Sequence, residues 1–202
     1  MMNNHCHMQR TISILVCQLV LASLLSCAPS PARIEPRTLK KEPQPTIHVS
    51  SLEKRIHNLI NEERKKNGLS QLEWDDALAA VARNYSRDMA KRNFFDHYSP
   101  EGQDFLKRYQ QAGYQCAVRI DRTIHMGGEN IALNHLYDSV TTINGQAFYD
   151  WNSQEKIAGT TVQGWMKSPG HRKNILTPYF KHEGIGVFIT SDGKVYITQN
   201  FC

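Results

Sequence analysis

No apolar run in the chain is long enough to cross a bilayer. Spanning one takes about 18 or more apolar residues, and the run from Ile12 to Leu25 is 14 residues long and broken by Ser13, Gln18 and Ser23. A mature membrane-spanning helix is therefore not expected. The sequence also lacks an internal repeat, an H-E-x-x-H stretch that would bind zinc on one helix face, and the G-x-S-x-G elbow of a serine hydrolase. Basic residues outnumber acidic ones, 24 to 19, but they are scattered along polar helix faces. With no basic stripe interleaved with aromatics, nucleic acid is not an expected partner.

What the first segment does have is the layout of a secretory signal: polar residues, the single basic residue Arg10, then the short apolar run. The run closes on Leu24-Leu25-Ser26-Cys27. This resembles a bacterial lipobox, with small Ser26 ahead of a cysteine that becomes diacylated and then forms the mature N-terminus. Leu25 departs from the small or β-branched residue usual there. The expectation is a lipoprotein held to the bacterial envelope, at the outer membrane or on the periplasmic side, through lipidated Cys27. An ordinary cleaved signal with a secreted product is the alternative. Cys6 and Cys17 would leave with the signal and Cys27 would carry the lipid. Cys116 and Cys202 then remain as a pair in a compartment that permits disulfides, with two unpaired thiols as the alternative.

Residues 1–27 are thus read as signal, 28–49 as tether and 50–202 as one domain. The tether holds Pro29, Pro31, Pro36, Pro43 and Pro45 among Arg, Lys and Glu, a composition that stays extended. The remaining stretch, about 150 residues, is enough to bury a single core, and a monomer is the expected state.

Leu52, Ile56, Leu59 and Ile60 share one helical face and Gly68 follows, which predicts a helix from Ser51 to Asn67. A second helix is predicted after Trp74, capped by Asp75, with Leu78, Val81, Ala82, Tyr85 and Met89 at helical spacing. Ser99-Pro100 reads as a cap and first position of a third helix that buries Phe105, Leu106 and Tyr109 and stops at Gly113. Ile157, Thr161, Val162 and Trp165 indicate a fourth, which Gly159 and Gly164 weaken. Cys116 to Ile120 could be a strand. Gly184–Thr190 and Lys194–Phe201 flank Ser191-Asp192-Gly193 and predict a hairpin. Helices first and an antiparallel hairpin last predict an α+β layered domain.

Several stretches recur in a distinctive order: His57-Asn58 with Arg64, Gly68-Leu69 and Leu72-Glu73-Trp74; Phe95-Asp96-His97; Gly128-Glu129-Asn130-Ile131-Ala132; and Trp165 through Leu176, which includes Ser168-Pro169-Gly170-His171. With Gly184-Ile185-Gly186-Val187 and Thr198-Gln199-Asn200-Phe201, the set resembles the CAP superfamily of cysteine-rich secretory, antigen 5 and pathogenesis-related proteins, in its bacterial SCP-like form. The resemblance covers nearly all of Leu52 to Cys202. It implies an α-β-α sandwich with a small three-stranded antiparallel sheet between helical layers and a cleft over the sheet.

In many members the cleft gathers two histidines and two glutamates, and in some the histidines bind zinc or another divalent metal. His97, Glu129 and His171 match by motif. The second glutamate does not, because Ser168 stands in its place. Two neutral imidazoles and one Glu129 oxygen could hold zinc with an open position for water; without metal, Glu129 could accept a hydrogen bond from either ring. Asn130 and Ser168 are expected at the cleft, Asn130 and Asn174 as braces of backbone. The resemblance implies binding of a lipid, an envelope component or a protein. The alternative is a metal-dependent peptidase or esterase in which Glu129 acts as general base. Leu133 to Trp151, with Leu136, Tyr137, Phe148, Tyr149 and Trp151, is read as a long loop, either a recognition element or a flap packed on the core. His125, His135 and His182 match no motif and are read as surface histidines.

Overall fold

The computed structural model describes residues 42–202. The signal, Cys27 and all but the last residues of the tether lie outside them. Among the described residues there are five helices: α1 (Val49–Lys66), α2 (Asp76–Arg92), α3 (Phe105–Gln111), α4 (Gln154–Lys167) and α5 (Pro169–Ile175). The strands are β1 (Glu73–Trp74), β2 (Val118–Ile120), β3 (Thr123–His125), β4 (Gly128–His135), β5 (Tyr137–Ile143), β6 (Gln146–Trp151), β7 (His182–Ile189) and β8 (Lys194–Phe201).

The central sheet runs β1-β7-β8-β4. Its last three strands are antiparallel, as expected, and the two-residue β1 adds a parallel edge against β7. One face carries α2, the other α1, α4 and α5, which makes the α-β-α sandwich. The larger core lies on the latter face around Leu52, Ile56, Trp165, Ile185, Ile197 and Phe201.

How close α2 can come is set by two glycines. A Cβ on Gly184 would stand 2.0 Å from the Ala79 nitrogen, and one on Gly186 the same distance from the Arg83 nitrogen. Backbone therefore packs on backbone, and Ser86 Oγ donates to Gly186 O at 2.8 Å. The Asp75 side chain accepts from Ala77 N and Leu78 N, so the predicted cap is realised. The Gly193 turn joins β7 to β8 at a φ of 87°, and Cys116 and Cys202 are bonded, with a sequence separation of 86.

Two readings are corrected. Ser99-Pro100 does not open α3: Gly102, at a φ of 77°, closes a turn back onto Ser99 O, and the Asp104 side chain caps the helix through Lys107 N. Leu133–Trp151 is not a loop. β4 continues to His135, and β5 and β6 form a hairpin about Asn144-Gly145, both at positive φ, the turn conformation that asparagine and glycine favour. The hairpin departs from the end of β4 remote from Glu129, about 20 Å away at ordinary strand rise. Its Trp151 Nε1 donates to Glu42 O at 3.0 Å, fastening the end of the tether.

Candidate functional site

β4 is an edge strand, and its outward carbonyls need partners that no strand supplies. Asn174 Nδ2 donates to Glu129 O at 3.0 Å and Trp165 Nε1 to Ile131 O at 2.9 Å. The capped edge becomes a seam where the two helical layers meet. His97 reaches it from the segment between α2 and α3. Tyr85 Oη donates to Asp96 O at 2.6 Å and Arg108 to His97 O at 3.3 Å, so the backbone around the imidazole is pinned by both helices. His171 comes from α5 in the opposite layer, and Asn130 Nδ2 donates to its carbonyl at 3.3 Å. The two rings lie with centroids 6.1 Å apart.

Glu129 lies beneath them with its side chain 1% exposed. Oε1 stands 3.0 Å from His97 Nδ1, and Oε2 accepts from Arg108 Nη2 at 2.5 Å. Both carboxylate oxygens are therefore engaged. The guanidinium also lies over the Tyr85 ring, 3.3 Å from its centroid, a cation–π contact in a desolvated place. Burial raises the Tyr85 hydroxyl above its ordinary pKa, so it remains the donor to Asp96. Burial, and secondarily the neighbouring His97, lowers His171 below its ordinary value. His171 is thus held toward the neutral imidazole, the form that can coordinate a metal.

Among the described residues no three His, Cys, Asp or Glu side chains converge as a ready-made metal cage. What the residues fit is a pair of imidazoles open to further ligands. His97 spends Nδ1 on Glu129, which leaves Nε2, and a carboxylate fixing the far nitrogen of a histidine is the usual outer support of a metal ligand. Ser168 stands between α4 and α5 and makes no capping bond. Asn130 is fully buried on the α5 side of the sheet, where its amide holds the His171 carbonyl. His182 is half-buried beside Glu73, and the ring of His125 lies against Tyr179.

Sequence reasoning passed over Arg108 and Tyr85. An arginine in a short amphipathic helix reads as solvated, and a tyrosine at core spacing reads as core. Arg108 also walls a hollow of about 330 Å³ with Tyr85, Asp88, Arg92 and Glu101, next to the site.

The sequence profile of the cysteine-rich secretory protein family (CAP) matches residues 57–201. The chain is 33% identical over 168 residues to the uncharacterised membrane protein YlbC of Bacillus subtilis, covering 83% of this chain and 39% of that protein. To the uncharacterised protein YkwD of the same organism it is 36% identical over 156 residues, 76% of this chain and 48% of that one. The chain thus spans less than half the length of these relatives. Among solved structures, an extracellular protein of Bacillus anthracis containing an SCP domain superposes with a TM-score of 0.55 at 31% identity, over 76% of this chain and 40% of that one. An outer surface protein of Borrelia burgdorferi shares the fold, with a TM-score of 0.55 at 19% identity over 79% of this chain and 97% of its own.

Proposed function

The chain belongs to the cysteine-rich secretory protein (CAP) family, and from that premise we propose that it is an exported binding protein whose ligand sits over His97, Glu129 and His171. The observation that carries this is the meeting of the two imidazoles over a buried carboxylate whose oxygens are both engaged. Such a carboxylate orients: each oxygen already accepts one hydrogen bond, from His97 or from Arg108, and at 1% exposure the side chain gives a water little access to the lone pairs that remain. This favours binding over the hydrolase reading, in which Glu129 is the general base.

Zinc, or another divalent cation, would be held by His97 and His171, with Glu129 fixing the His97 ring from behind. When bound, such an ion polarises a ligand oxygen or lowers the pKa of coordinated water to about 7. The organic ligand would be a lipid, an envelope component or a protein segment. Export is supported by the signal-like start of the chain and by the likeness to an extracellular protein and to a membrane protein. Lipidation at Cys27 would leave the domain on a proline-rich tether at the envelope; without it the protein would be secreted.

Native mass spectrometry of protein purified from envelopes tests the reading. A ligand retained by the wild type and lost from a folded His97→Ala/His171→Ala variant supports it, whereas equal retention by both contradicts it. If hydrolysis were the function, Glu129→Gln would abolish turnover while sparing affinity.

A further inference from the structure

On the α1 face of the sheet a row of buried polar side chains leaves the candidate site and crosses to the opposite side of the domain. Asn174 Nδ2 donates to Asn130 Oδ1 at 2.9 Å, and Asn130 Nδ2 donates to Gln199 Oε1 at 3.0 Å. Gln199 Nε2 donates to Glu183 Oε2, and the other oxygen, Oε1, stands 2.6 Å from His57 Nδ1 on α1. Asn130, Gln199 and Glu183 are each 0% exposed. The register explains the alignment: Asn130 pairs with Gln199 across β4 and β8, and Gln199 with Ile185 on β7, two residues from Glu183 on the same face.

The direction of every bond in the row is forced. A carboxylate only accepts, so Gln199 must turn its NH₂ to Glu183 and its oxygen to Asn130. Asn130 must then present its NH₂, and its oxygen is left for Asn174. At the far end the same two NH₂ groups meet backbone carbonyls, which also only accept: Asn174 donates to Glu129 O at 3.0 Å and Asn130 to His171 O at 3.3 Å. At the near end, Asn61 is locked to the Leu72 backbone by Oδ1 at 2.7 Å and Nδ2 at 3.0 Å, so its NH₂ faces His57 Nε2. That nitrogen must accept, and His57 therefore gives its Nδ1 proton to Glu183. Arg64, also on α1, is the buried cation within electrostatic reach of Glu183.

The row is thus anchored at both ends, by the two backbone carbonyls beside the site and by the buried carboxylate of Glu183, and replacing that carboxylate by an amide would remove the charge-assisted acceptor of Gln199 and leave the row anchored at one end only. We propose that Glu183, held by His57, is a positioning residue whose charge anchors the Gln199–Asn130–Asn174 row from the far side and thereby tightens the hold of the two asparagines on the backbone of Glu129 and His171. The inference rests on the reading of His97, Glu129 and His171 as the binding site. Nothing along the row touches either imidazole, so the effect on the site is transmitted through the backbone carbonyls that the two asparagines hold.

The test is proton–nitrogen NMR of the metal-free protein, following the side-chain NH₂ of Asn174 and the imidazole of His171 in the wild type and in Glu183→Gln. Glu53→Gln is the control, because Glu53 is equally buried but pairs with Arg83 outside the row. The expected result is displaced or doubled Asn174 and His171 signals in Glu183→Gln and unmoved ones in Glu53→Gln. Signals unmoved in Glu183→Gln, or moved alike in both, overturn the proposal. If Glu183→Gln does not fold, Gln199→Met, which cuts the row between Glu183 and Asn130 at similar side-chain size, carries the same comparison. Because no metal is present, failure here is distinct from failure of the cleft to bind zinc, which would instead overturn the functional reading.

Discussion

Arg108 Nη2 and Glu129 Oε2 lie 2.5 Å apart, with side chains 10% and 1% exposed, which makes the arginine that the sequence hid the principal partner of the carboxylate it advertised. Removing one member of a buried ion pair strands the other, at a cost of about 3–5 kcal/mol. Arg108→Gln should therefore lower unfolding free energy by roughly that amount, measured by chemical denaturation. The double variant Arg108→Met/Glu129→Met should recover most of it, since no charge is then left unpaired. An Arg108→Gln protein as stable as the wild type would contradict this account of the site.

His171 carries a pH dependence of known sign. Its folded pKa is lowered from 6.5 by burial, so below about 6.5 the unfolded chain binds a proton that the folded one resists. Stability is complete above that pH and falls as pH drops through 6.5 toward the folded value. Thermal melts from acid to neutral pH should show this slope in the wild type and a flatter one in His171→Gln. An unchanged slope would place the titration elsewhere.

The contact of α2 with β7 leaves no room for a methyl group. Gly186→Ala would place a carbon 2.0 Å from the Arg83 nitrogen and force the helix away. The expected loss is at least about 1–3 kcal/mol, the usual cost of overpacking. The same substitution at Gly164, which has nothing within 4 Å, should be neutral or mildly stabilising. Equal melting temperatures for the two variants would contradict the close approach.

Trp151→Phe removes the one indole donor to Glu42 O. A net hydrogen bond is worth about 0.5–1.5 kcal/mol, so the core should melt almost unchanged while the segment before α1 becomes more readily cut by protease. Identical cleavage rates would show that the hairpin does not hold the tether.

The fold was largely legible because local signals and tertiary outcome agree. Asp75 caps α2, Asp192-Gly193 turns β7 into β8, and the apolar stripes of α1 and α4 face the core. Where they disagreed, a short-range signal was outweighed or missed. Ser99-Pro100 is a helix start in form, but left-handed Gly102 closes a turn first. Asn144-Gly145 marked a hairpin within a stretch whose aromatics drew attention instead. His97, Glu129 and His171 were found only through resemblance, since no periodicity links residues separated by such distances. The roles of Arg108 and Glu183 gave no signal, and His57 stood only as part of a motif with no partner assigned: the paired residues lie 21 and 126 positions apart, and a charged residue on a helix or strand looks solvated until the other layer is in place.

The central claim is that His97 and His171 form one site. Calorimetric titration of zinc into the purified protein, beside the His97→Ala/His171→Ala variant, tests it most directly. The account predicts stoichiometric binding by the wild type that disappears in a variant still folded by circular dichroism. No binding by the wild type, or binding that survives loss of both imidazoles, would contradict it.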